Sequence, residues 1–206
     1  MEQRILKMKD AKTREEGGKK YLEGYFAVFG EPYKVWDGWI ETIERGAFSR
    51  YLASGEDVKV LWNHDSNIVL GSTGNGTASL REDDIGLFGS VEINENDQEA
   101  VSAYARVARR DVDGCSFGFD IARQEEWWDD DGVYHTKITE VDPLYEVSPC
   151  TFPAYKATSI SARNKESLIG AKKRYEAAQE QKRAEWRNDM RKRLKGEKDG
   201  IKTDHA

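Results

Sequence analysis

One serine stands between two glycines in Gly114-Cys115-Ser116-Phe117-Gly118-Phe119-Asp120, with aromatics at alternate positions. Side chains alternate faces along an extended chain. Cys115, Phe117 and Phe119 would then point into a core, and Gly114, Ser116 and Gly118 onto a face without bulk. A hydroxyl on a cleared strip is what a nucleophile needs if an extended peptide is to lie over it. The neighbouring glycines would let that peptide add along the strand edge through main-chain hydrogen bonds. On this segment alone, a close-packed strand whose glycines admit a neighbour is the simpler reading.

A nucleophilic serine needs a base. His64 ends the strand-like run Leu61-Trp62-Asn63-His64-Asp65, and alternation puts Val58, Val60, Trp62 and His64 on one face. Imidazole suits the role because its ordinary pKa, about 6.5, lies near working pH. The alternative is a strand-end histidine satisfied by a turn beside Asp65. His135, at a hairpin tip, and His205, near the end of the chain, are expected to face solvent. Glu146 shares a face with Leu144 and Ser148 in Leu144-Tyr145-Glu146-Val147-Ser148-Pro149-Cys150, while Tyr145 and Val147 read as core-facing. A carboxylate in a short apolar strand is costly to bury unless paired, and an imidazole N–H is a suitable partner because the carboxylate then holds the tautomer. Composition by itself favours an outward glutamate on an edge strand. Glu140 is the alternative third member, with Asp120 and Asp142 behind it. In Thr151-Phe152-Pro153-Ala154-Tyr155, Pro153 has no N–H to give, so an oxyanion donor here would be the backbone N–H of Ala154 or Tyr155. Losing one such donor costs about 10²–10³ in rate. A cysteine nucleophile, Cys115 or Cys150, is a third reading, but alternation turns Cys115 away from Ser116 and His64.

These residues must be carried by a small fold. The chain has 206 residues, 38% hydrophobic and 34% charged, enough for one domain of common size plus an appendage. Short strands are expected at 21–29, 39–43, 58–62, 69–71, 76–80, 87–93, 114–122 and 145–150. Asp129-Asp130-Asp131-Gly132 marks a hairpin between Trp127-Trp128 and 133–138. Helices are expected at 46–52, stopped by Gly55, and at 97–110, capped by Asp97 with Val101, Tyr104, Ala105 and Ala108 inward. Many short strands with glycine-rich turns argue for a mainly β fold with helices (α+β), a barrel or sandwich. Residues 1–20 read as a flexible lead-in, 21–162 as the main domain, and 163–206 as a charged helical or disordered tail. That tail carries +6 while the remainder carries −12, so an acidic body would be repelled by phosphate and nucleic acid is disfavoured as a partner. No apolar run approaches the ~20 residues of a membrane span. Two cysteines and three histidines give neither a disulfide framework nor zinc-ligand spacing, and there is no nucleotide-cradling glycine motif. No metal or cofactor is expected, and a reducing cytoplasm is the default compartment.

The motifs also occur in a telling order. Gly24-Tyr25-Phe26-Ala27-Val28-Phe29-Gly30 is followed by Glu44-Arg45-Gly46-Ala47-Phe48, Leu61-Trp62-Asn63-His64-Asp65, Gly86-Leu87, Cys115-Ser116-Phe117-Gly118-Phe119 and Glu146-Val147-Ser148-Pro149-Cys150-Thr151-Phe152-Pro153-Ala154. This series, from about Gly24 to Ala162, resembles the prohead serine proteases of tailed bacteriophages, which are distantly similar to the herpesvirus capsid-maturation protease. The resemblance implies a closed β-barrel surrounded by helices and a serine endopeptidase with Ser116 as nucleophile and His64 as base. The herpesvirus enzymes carry a second histidine where this chain has Glu146, which leaves Glu146 or Glu140 as third member. The implied substrates are the scaffolding protein, the scaffolding segment of the major capsid protein, and the protease itself, inside the immature capsid in the host cytoplasm. The dimers of the herpesvirus relatives make a homodimer an expectation. A catalytically inactive homologue serving as internal scaffold or capsid-assembly factor is the alternative function.

Overall fold

In the computed structural model, the described residues are 2–7, 9–36, 38–151 and scattered positions between 170 and 187. Contacts divide the chain into two compact units, Met1–Tyr155 and Lys156–Ala206. The elements of the first, in chain order, are β1 (Glu2–Lys7), β2 (Lys9–Glu16), β3 (Lys19–Val28), β4 (Tyr33–Trp36), β5 (Trp39–Ile43), α1 (Ser49–Ser54), β6 (Lys59–Trp62), β7 (Asp65–Ser72), β8 (Ala78–Glu82), β9 (Gly86–Glu92), α2 (Gln98–Ala108), β10 (Gly114–Trp128) and β11 (Tyr134–Cys150).

The fold is mainly β with few helices, as the glycine-punctuated short strands imply. The expected closed barrel is not found. Seven strands form one sheet in the order β1-β10-β11-β5-β4, with β6 also on β11 and β7 on β6; four form a second in the order β2-β3-β9-β8. Among the described residues, both sheets end in open edges and no hydrogen-bonded ladder joins them. Their apolar sides share one core instead. Leu22 and Phe26 of β3 and Leu87 and Val91 of β9 belong to the same cluster as Phe117 and Phe119 of β10 and Val147 of β11. Phe117 lies edge-on to Phe48 at 5.6 Å and stacks on Phe119 at 4.7 Å. The Cys115 thiol points the same way, 3.4 Å from the Phe26 carbonyl oxygen. The inward face expected for this segment is therefore correct.

Other expectations shift. The lead-in 1–20 contains two strands: β1 pairs with β10 and β2 with β3. The stretch Lys-Asp-Ala-Lys-Thr-Arg-Glu-Glu has almost no apolar alternation because β2 is a sheet edge, held by its ladder more than by burial. A further short strand, β4, lies between the strands expected at 21–29 and 39–43. The α2 stripe is rotated: Ala100, Ala103 and Val107 are buried, Val101 and Tyr104 are partly buried against the core, and Ala105 and Ala108 are exposed. The small alanines at 100 and 103 let the helix axis approach closely. Most of 163–206 lies outside the described residues; described positions between 170 and 187 are helical.

Candidate active site

Strand β11 is the platform of the site. It runs antiparallel to β10 on one side and, at Glu146 and Val147, parallel to β6 on the other. The β6 side continues to a hydrogen bond from Asn63 N–H to the Pro149 carbonyl, 3.1 Å. The chain then reverses: Trp62 pairs with Asp65, leaving Asn63 and His64 as a two-residue loop. Their φ values are 53° and 62°, the doubly left-handed geometry that a tight hairpin between twisted strands demands. Asparagine tolerates that region well, whereas a histidine there costs about 1–2 kcal/mol. The alternation argument for His64 therefore ends at Trp62, because the turn sets the direction of the imidazole.

That turn brings His64 back onto β11. The His64 backbone N–H donates to Ser148 Oγ at 3.3 Å, and Nδ1 is 2.7 Å from Glu146 Oε1. Against a carboxylate, Nδ1 carries the proton, so Nε2 presents its lone pair away from Glu146. Ser148 Oγ donates to the other carboxylate oxygen, Oε2, at 2.5 Å. Glu146 is only 4% exposed; these bonds to both oxygens compensate its burial.

Ser116 stands directly opposite Ser148 in the β10–β11 ladder, and Gly118 stands opposite Glu146. Residues so paired share a face with Cβ atoms about 4.5–5.5 Å apart. Ser116, Ser148 and Glu146 therefore form one row. Among the described residues, Ser116 Oγ and His64 Nε2 are the buried side-chain polar atoms with no hydrogen-bond partner. No hydrogen bond joins these two atoms to each other. Ser116 is fully buried rather than set on an open strip. The strand edge expected to receive substrate is occupied by β1, whose Ile5 pairs with Ser116.

The remaining candidates lie elsewhere. The Glu140 carboxylate is taken up by Arg50 and Arg123, and these bonds hold it below the ordinary glutamate range. Asp120 accepts from Tyr145 Oη at 2.7 Å. His135 Nε2 meets Asp129 Oδ2 at 2.8 Å and stacks on Trp127 at the hairpin tip. Ala154, Tyr155 and His205 fall outside the described residues. Cys150 is buried, and that burial, with the nearby Glu146 charge, pushes its thiol up to about 12. No cluster among the described residues could hold a metal ion, and no described helix is long and apolar enough to cross a membrane.

Two contributors escaped sequence reasoning. Ser148 was visible as a face-mate of Glu146, but not as its hydrogen-bond donor. Asn63 fixes the turn through its side chain, Oδ1 accepting from Thr151 N–H at 2.8 Å. Its signal was an asparagine at a strand end, which marks a left-handed turn.

A serine and a carboxylate on one face of paired strands, with an imidazole bonded to that carboxylate, are the parts from which serine hydrolases assemble a catalytic row. Comparison with known proteins gives the family. The profile of the caudovirus prohead serine proteases matches residues 7–172, and the chain belongs to that family. The prohead protease of Enterobacteria phage HK97 is 30% identical over 151 residues, 71% of this chain and 61% of that protein. The chain thus spans about six-tenths of the length of that relative. No solved structure matches the chain.

Proposed function

We propose that this chain is a serine endopeptidase of capsid maturation, with Ser116 as nucleophile, His64 as general base and Glu146 as the residue that orients the base. The observation that carries the reading is the 2.7 Å contact between His64 Nδ1 and Glu146 Oε1, with His64 Nε2 and Ser116 Oγ both buried and without a hydrogen-bond partner. His64 Nε2 takes the Ser116 proton as Oγ bonds to the peptide carbonyl carbon. Glu146 stabilises the imidazolium without accepting its proton. The backbone N–H of Ala154 or Tyr155 is our candidate donor to the oxyanion. The imidazolium then protonates the leaving amine as the C–N bond breaks. Water, deprotonated by His64, attacks the acyl-enzyme and releases Ser116.

The substrates we infer are the scaffolding protein or the scaffolding segment of the major capsid protein, and the protease itself, within the immature capsid in the host cytoplasm. The prohead designation of the family supports this. The 163–206 segment, basic where the body is acidic, serves in this reading as a docking segment for scaffold or coat protein. Normal capsid entry by a chain truncated at 162 would contradict that part. Kinship with the herpesvirus capsid protease, including its dimer, belongs to the same proposal; a carboxylate in place of the second histidine does equivalent electrostatic work.

Coexpression with the capsid protein encoded beside it, read by intact-mass spectrometry, tests the activity. The wild-type chain is expected to shorten its partner or itself, and Ser116→Ala to leave both full length while folding normally. Unchanged lengths with the wild-type chain would favour a non-catalytic assembly factor. Cleavage by Ser116→Ala would remove the serine from the mechanism.

A further inference from the structure

We propose that Ser148 is a positioning residue of this site, tying the orienting carboxylate to the turn that carries the base. The inference rests on the serine-protease reading above. Ser148 is fully buried on β11, so its hydroxyl must find its partners within the protein. It has two, and they come from different parts of the proposed machinery. Oγ donates to Glu146 Oε2 at 2.5 Å and accepts from the His64 backbone N–H at 3.3 Å.

Each bond removes a specific freedom. A glutamate side chain has three rotatable bonds, and the Nδ1 contact alone fixes one oxygen. The Ser148 donor fixes the second, so the carboxylate plane cannot swing. The bond to His64 N–H holds a left-handed residue whose backbone strain would otherwise favour rearrangement. The spacing follows from the strand: residues 146 and 148 share a face, so a hydroxyl two positions on reaches the far carboxylate oxygen. Ser116 faces Ser148 across the ladder. The same side chain therefore sits between nucleophile, base and orienter, although its own proton is committed to Glu146.

A fluorophosphonate probe, which phosphonylates a serine Oγ with loss of fluoride, tests this on the full-length chain. In Ser148→Ala, the maximal labelling rate of Ser116 is expected to fall about tenfold or more, the scale of one lost hydrogen bond to a charged group, while the probe concentration for half-maximal rate stays unchanged. Ser148→Thr, which keeps the hydroxyl, is expected to restore most of the rate. The second measurement is the downfield proton resonance of His64 Nδ1–H, which should shift or broaden in Ser148→Ala. A purely structural serine would lower the melting temperature and leave that resonance and the labelling rate of the folded protein as they were; that result overturns the proposal. Adduct found on Ser148 itself also overturns it. Should Ser148→Thr fail to fold, the resonance in Ser148→Ala still decides. Ser116→Ala is the control: if it labels as the wild type does, the protease reading fails; if it does not label while Ser148→Ala matches wild type, only the present inference fails.

Discussion

At the scale of single residues, the site separates groups by the bonds available to them. Glu146 and Glu140 are both carboxylates on β11 and both nearly buried, yet one meets an imidazole and a hydroxyl and the other two guanidiniums. Replacing the orienter alone tests its role: in Glu146→Gln, the amide no longer stabilises the imidazolium, and fluorophosphonate labelling is expected to slow by about 10³–10⁴. A slowing below threefold would remove Glu146 from the mechanism. The two cysteines separate in another way. With its thiol pushed up to about 12 by burial, Cys150 holds little thiolate at neutral pH. Iodoacetamide treatment of the native protein is therefore expected to leave activity intact; rapid inactivation with alkylated Cys150 would revive the thiol reading.

Elements decide what the pattern of residues can see. The core strands were legible because glycine turns bound short apolar runs, and β5 matches its expected range residue for residue. The long β10 and β11 were legible only in part: beyond Ile121, β10 leaves the core and its residues at 123–126 are exposed and polar, so periodicity loses the strand while the hairpin ladder keeps it. Gly86 opens β9, and its main constraint is close approach between β3 and β9. A Cβ there would lie 1.9 Å from the Ala27 carbonyl oxygen, a backbone atom that cannot yield without breaking the ladder at Val28 and Ala27. Gly86→Ala is expected to cost about 3 kcal/mol or more, lowering the melting temperature by roughly 6–12 °C for a chain of this size. An unchanged melting temperature would mean that the two strands are not so closely apposed.

For the molecule as a whole, acid stability should follow the carboxylates held below their ordinary range. The Arg50 and Arg123 bonds depress Glu140 from its ordinary value of 4.5; the Lys59, Ser72 and Gly74 bonds depress Asp57. A depressed carboxylate contributes stability that is complete above its unfolded value and disappears as pH falls through its folded one. Arg123→Ala is thus expected to move the acid-unfolding midpoint upward, measured by circular dichroism against pH, while stability at pH 7 falls as well. A midpoint that stays put would show that the Glu140 cluster is energetically idle. The sequence foretold the mainly β class, but not the open sheets or the filled edge at Ser116. Closure and edge occupancy depend on pairings between distant strands, and β1 and β2 have too little apolar patterning to announce theirs.

Mapping the fluorophosphonate adduct by peptide mass spectrometry bears most directly on the central claim, that Ser116 is activated by the imidazole of His64. The adduct is expected on Ser116 in the wild-type chain and is expected to vanish in a folded His64→Ala variant. Labelling at another residue, or labelling of Ser116 at an undiminished rate without the imidazole, would contradict the account.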